Sequence, residues 1–179
     1  MSGETLRLFF ALNMDRSARR EIVRLQTRVW GEDTRGLTRP ENLHLTLAFL
    51  GNTDSARLEE LGQVIDRLDV VALFLRFDRI GVFHQPGGDI WWLGMGENRE
   101  LQRLQAQLTK ELGKAAFPVE ERKFIPHLTL ARKVRPKVVP KGGKLLHPIS
   151  AKIGRVSLMR SQQVDGKTVY SELMSTGRN

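Results

Sequence analysis

Cysteine is missing altogether from the 179 residues. Its absence excludes a disulfide framework, a thiolate metal site and a cysteine nucleophile, and suggests a reducing cytosol. Long hydrophobic runs are missing too. The apolar stretch Leu6 to Leu12 is too short to span a bilayer, follows acidic Glu4, and lacks the basic n-region and long h-region of a signal peptide. A cytoplasmic protein without a membrane anchor is expected. No Gly-x-Ser-x-Gly elbow is present to suggest a serine hydrolase.

Acidic residues are absent between Glu121 and Asp165, a segment that holds 11 Lys or Arg. The whole chain carries a net charge of +9 at pH 7, with a pI near 10.5. Such a balance attracts polyanions through phosphate contacts and counterion release. With 40% hydrophobic and 27% charged residues the composition is that of a soluble globular protein. Its length suits one domain over 1–179, large enough to bury a core.

What the chain does have is a five-residue stretch that occurs twice. His-Leu-Thr-Leu-Ala spans residues 44 to 48 and again 127 to 131, 83 residues apart. Both copies alternate polar and apolar side chains, the period of a half-buried strand, in which i and i+2 share a face. His44 and Thr46 therefore project together with Leu45 and Leu47 behind them, as do His127 and Thr129 ahead of Leu128 and Leu130. Imidazole titrates near neutral pH, so one ring can accept a proton from water while another donates one to a leaving group. Threonine hydroxyls can hold phosphoryl oxygens, and basic neighbours can neutralise developing charge. A phosphodiester fits that set, and no cofactor is required. Two His with no Cys and no acidic residue inside either motif make a poor zinc set, so no metal is expected.

Around the motifs, apolar periodicity predicts helices at 15–30 (capped by Asp15 or Asn13 and ended by Gly31), 54–68 and 97–113 (ended by Gly113). Strands are predicted at 6–12, 42–50, 71–78, 80–84, 89–95, 124–132, 150–160 and 163–173, the last two joined at Asp165-Gly166. Residues 133–149, rich in Lys, Pro and Gly, read as a mobile loop near the site. The order suggests an α+β fold: a two-lobed domain with two antiparallel sheets related by an approximate twofold, helices outside and a cleft between the sheets.

Taken together, Arg7-Leu8-Phe9-Phe10-Ala11, the stretch NLHLTLAFLG from Asn42, Trp92-Leu93-Gly94-Met95 and the stretch PHLTLAR from Pro126 resemble the 2H phosphoesterase superfamily. Within it, the resemblance is to the bacterial RNA 2′,3′-cyclic phosphodiesterases, also called 2′-5′ RNA ligases. The resemblance implies metal-independent opening of an RNA-terminal 2′,3′-cyclic phosphate to a 2′-phosphate, with 2′-5′ ligation as a reverse-type activity. It implies that His44 is the general acid and His127 the general base, that Thr46 and Thr129 hold phosphate oxygens, and that Arg132 contacts phosphate. In a regular strand Arg132 faces away from His127 and Thr129, so that role requires a bend or bulge. Phe10, Phe49, Trp91 and Trp92 are candidates for stacking on a base. The expected partners are RNA ends or nucleotides bearing a 2′,3′-cyclic phosphate, and a monomer is expected. Two alternatives stand beside this: a non-catalytic RNA-binding module, and a phosphodiesterase for a small cyclic nucleotide.

Overall fold

A computed structural model describes residues 3–177; the outermost residues of the expected 1–179 domain lie outside it. Stretches that alternate apolar and polar side chains become eight strands: β1 (Thr5–Asn13), β2 (His44–Asp54), β3 (Leu73–Phe83), β4 (Ile90–Met95), β5 (His127–Arg132), β6 (Lys144–Ile153), β7 (Ser157–Val164) and β8 (Lys167–Ser175). Three segments with 3.6-residue apolar spacing become α1 (Arg16–Trp30), α2 (Leu58–Asp66) and α3 (Arg99–Lys114).

The strands pair antiparallel in one sheet of order β6-β3-β4-β5-β2-β1-β7-β8. Two separate sheets were the expectation, and this corrects it. The motif strands β2 and β5 are direct neighbours, so the two groups of four strands fuse. The join is narrow, a single residue pair, Leu45 with Leu128. Nor does the cleft lie between sheets. Leu8, Phe10, Leu12, Leu45, Leu128 and Leu130 bury against the helix residues Ile22, Leu25, Val64 and Leu104 in one large core. Phe9, Ala11 and Met159 form a small cluster on the opposite face, with Tyr170 packed on it. Helices cover one side of the sheet; the motif side chains His44, Thr46, His127 and Thr129 stand on the other.

Local chemistry sets the element ends. Asp15 caps α1, accepting from the Ala18 N–H at 2.9 Å and from the Lys152 N–H of β6 at 2.8 Å. Asp165 and Gly166, at φ of 50° and 73°, make the two-residue turn between β7 and β8. Several boundaries differ from the sequence reading. The strand expected at 150–160 is broken after Ile153, its two parts belonging to β6 and β7, and the one expected at 163–173 runs from the end of β7 through the turn into β8. The strands expected at 71–78 and 80–84 are one strand, β3, whose register shifts between Phe77 and Arg79. Gly113 stays inside α3, and Ala116 reverses the chain at φ 53° while the Phe117 N–H returns to the Leu112 carbonyl. The segment 133–149 is only partly loop, because β6 begins at Lys144. Its first part is tied down, the N–H groups of Lys137 and Val138 donating to the Val29 carbonyl at the end of α1. None of 133–149 lines the cleft, but Val134 packs against Gly36, which does, so the basic loop lies beside the site without entering it. Among the described residues, no helix is long and apolar enough to cross a membrane.

Candidate active site

Antiparallel pairing at Leu45 and Leu128 fixes the arrangement of the motif side chains. On the face opposite those leucines, His44 lies beside Thr129, and Thr46 beside His127, at the spacing of cross-strand neighbours, about 5 Å. The two histidines occupy opposite corners of a four-residue square. All four side chains line one cleft of about 830 Å³. Arg7, Arg39, Arg132 and Lys167 also line it, and no Asp or Glu does.

Each imidazole is anchored in the same way. His44 Nδ1 donates to the Asn42 carbonyl at 2.7 Å, and His127 Nδ1 donates to the Ile125 carbonyl at 2.8 Å. A carbonyl can only accept, so Nδ1 carries the hydrogen and Nε2 is the nitrogen left to exchange a proton. The two rings differ in what Nε2 meets. His44 Nε2 is hydrogen-bonded to Thr46 Oγ1 at 3.0 Å, whereas no such bond joins His127 to Thr129. Aromatic rings flank both: Phe9 and Tyr170 lie 5.0 and 5.2 Å from His44, Phe83 and Trp92 lie 5.2 and 6.3 Å from His127. Burial pushes the His44 imidazolium pKa below the usual histidine value, the Asn42 carbonyl opposes that, and the nearby Arg132 and His127 charges add to the lowering.

Arg132 reaches the cleft through a bulge. Trp92 pairs with Thr129 and Trp91 with Ala131, so Leu130 has no partner on β4 and the strand's facing alternation resets. The bulge is held from outside the strand. Gln26, buried on α1, donates to the Leu130 carbonyl at 2.9 Å and to the Thr38 carbonyl at 3.0 Å. Thr38 N–H also donates to the Leu130 carbonyl, and Arg132 N–H donates to Gly36, both at 2.8 Å.

The aromatic candidates divide. Phe49 is 40% exposed and lines the cleft. Phe10 is fully buried on the helix side of the sheet, and Trp91 packs there against Trp30. Strand parity puts both behind the cleft, which corrects them as base platforms. Trp92 lies over the backbone of Gly81 and Gly94, beside His127 and outside the lining of the cleft. His84 bonds Asp89 in its turn, and His147 sits on edge strand β6, both apart from the cleft. The sequence reading missed Arg7, Phe9, Asn42 and Tyr170. Arg7, Phe9 and Ala11 share one face of β1 by simple alternation, but only the pairing of β1 with β2 reveals which face. Among the described residues, no three His, Cys, Asp or Glu side chains cluster to hold a metal ion.

Comparison with known proteins agrees with this architecture. The sequence model of the 2′-5′ RNA ligase superfamily matches residues 14–165. A protein of Methanothermobacter thermautotrophicus named RNA 2′,3′-cyclic phosphodiesterase is 29% identical over 178 residues, 94% of this chain and 96% of that protein. The crystal structure of Escherichia coli LigT in its apo form superposes with a TM-score of 0.82 at 26% identity, covering 97% of both chains. The same protein crystallised with 3′-AMP superposes with a TM-score of 0.81 at 25% identity, covering 98% of this chain and all of the other.

Proposed function

Since the chain belongs to the 2′-5′ RNA ligase superfamily, we propose that it hydrolyses RNA-terminal 2′,3′-cyclic phosphates to 2′-phosphates by metal-independent acid–base catalysis. The observation that carries this reading is the matched anchoring of His44 and His127, which leaves both Nε2 atoms to exchange protons in one acid-free cleft. The name of the Methanothermobacter relative and the LigT complex with 3′-AMP support the substrate class.

In this mechanism His127 Nε2 takes a proton from water as the water oxygen bonds to phosphorus. The bond from phosphorus to the 3′ oxygen breaks in line, and His44 Nε2 gives that oxygen its proton. The product is a 2′-phosphate beside a free 3′-hydroxyl. Thr46, Thr129 and Arg132 hold the non-bridging oxygens and offset the charge that builds on them. His44 must enter the reaction protonated, although burial disfavours that state in the free protein. Substrate phosphate, bound against Arg132, supplies the negative charge that restores the proton. A 5′-hydroxyl in place of water gives a 2′-5′ linkage by the reverse-type reaction. The assignment of acid and base follows the family resemblance. The two halves of the sheet are read as related by an approximate twofold, the whole chain as one domain, and the protein as a cytoplasmic monomer.

Phosphorus NMR of a short RNA ending in a 2′,3′-cyclic phosphate, incubated with the protein in EDTA, tests the reading. Wild type should yield a 2′-phosphate, and His44→Ala and His127→Ala should yield none. A 3′-phosphate product would reverse the leaving oxygen, and an unchanged cyclic phosphate would sink the hydrolase assignment.

A further inference from the structure

The cleft is larger than a single reacting phosphate needs. Its volume of about 830 Å³ falls towards the upper end of the range for small-ligand pockets, roughly 300–1,000 Å³. The centre built from the two His-x-Thr motifs and Arg132 occupies the seam between β2 and β5. The cleft continues from there along β1 and β2, away from the seam.

Arg7 stands on that extension. Its guanidinium carbon lies 4.9 Å from the centroid of the Phe49 ring. Phe49 is three residues past Thr46 on β2, roughly 10 Å of strand. A phosphate held between Thr46 and Thr129 is therefore one step removed from this guanidinium. Two other arginines are neutralised: Arg160 on neighbouring β7 pairs with Glu4 at 2.5 Å, and Arg39 in the cleft wall with Glu41 at 3.3 Å. Arg7 makes no ion pair among the described residues; Phe49 orients its charge without cancelling it. Arg7 also pairs across β1 and β7 with Ser161, whose side chain lines the same wall. A free guanidinium on an aromatic ring, in a channel without carboxylates, fits a phosphodiester.

We propose that Arg7, held over Phe49, binds the first internucleotide phosphate upstream of the cyclic one, so that the protein discriminates the end of an RNA chain from a free cyclic mononucleotide. This rests on the phosphodiesterase reading and extends its substrate from a terminal group to a chain of at least two nucleotides.

The test compares kcat/KM for adenosine 2′,3′-cyclic phosphate and for a tetranucleotide with the same end, in wild type, Arg7→Met and Arg7→Lys. Binding of a fluorescent tetranucleotide carrying a terminal 2′-phosphate is followed alongside as a function of salt. Arg7→Met should lose about tenfold on the tetranucleotide, the order expected for a charged hydrogen bond, and lose it through KM. Its loss on the mononucleotide should be several-fold smaller, and Arg7→Lys should recover part of the difference. The salt slope of tetranucleotide binding should fall by about 0.7, the value of one single-strand phosphate contact. An equal loss on both substrates would overturn the proposal by placing Arg7 at the reacting phosphate. No loss on either, or an unchanged salt slope, would reduce Arg7 to a packing partner of Phe49. If wild type hydrolyses neither substrate, the enzymatic reading fails, and the salt slope still decides whether Arg7 holds a chain phosphate.

Discussion

Phe49 and Arg132 hold equivalent places: each is the fifth residue after its motif histidine, and each enters the cleft because its strand bulges at the second motif leucine. On β5 the unpaired residue is Leu130; on β2 it is Leu47, left over between the pairs Ala11–Thr46 and Phe10–Ala48. The same local irregularity thus presents a cation on one side of the site and an aromatic ring on the other. Arg7 then brings a cation to the aromatic side from a neighbouring strand.

The β5 bulge depends on Gln26. Replacing it with Leu keeps the volume and removes the donor to the Leu130 and Thr38 carbonyls. The expected cost is about 1–3 kcal/mol in urea unfolding, the penalty of under-satisfied buried polar groups. Turnover should fall together with stability, because Arg132 loses its setting. A variant of full activity and normal stability would show that the bulge stands without this brace.

His44 should titrate below the ordinary histidine value in the free protein, for burial first and then for the Arg132 and His127 charges. Heteronuclear NMR of the imidazole nitrogens reads this directly. Inorganic phosphate should raise the midpoint, and Arg132→Met should raise it in the absence of phosphate. A midpoint unmoved by Arg132→Met would mean that the guanidinium does not act on this ring.

The same depression affects folding. In the unfolded chain His44 takes up its proton near pH 6.5, and in the folded protein only at lower pH. Between those two values the unfolded state binds more protons, so stability declines as pH falls through that window and levels off below the folded value. Above pH 6.5 this group contributes no pH dependence. Urea midpoints of wild type and His44→Gln, measured across the window, should diverge at low pH, with the variant lacking this part of the decline.

Gly81 supports His127 indirectly. A Cβ at this position would overlap the Trp92 ring, which lies across the glycine and beside the imidazole. Gly81→Ala should cost about 1–3 kcal/mol, as overpacking does, and should lower kcat by displacing Trp92 and releasing His127. Unchanged kcat with lowered stability would confine the role of Trp92 to packing.

Period-two alternation is enough to put His44 and Thr46 on one face and Leu45 and Leu47 on the other, and apolar spacing with Asp15 and Gly31 is enough to bound α1. Those features are local. Whether β2 pairs with β5 is a long-range matter that turns on one residue pair, and local pattern carries no information about it. Phe9 and Phe10 are adjacent and equally apolar, so composition does not say which of them meets the cleft; the register of β1 against β2 does. Charge behaves likewise. The lysines after Arg132 are numerous, yet the segment is tied by Lys133 to Asp89 and by Lys137 and Val138 to the end of α1, and the cleft takes its cations from residues far apart in sequence.

The lone rung between Leu45 and Leu128 has a mechanical meaning. The proposed acid and the proposed base belong to different four-stranded blocks, which meet strand to strand only there; further backbone bonds to β5 come from residues 36–38, ahead of β2. Beneath the seam, on the dry side of the sheet, lies the buried leucine layer of Leu45, Leu128 and Leu130. On the proposed mechanism the reach of proton transfer then depends on hydrocarbon packing, and thinning that layer, as by Leu128→Ala, should lower turnover from the face opposite the cleft.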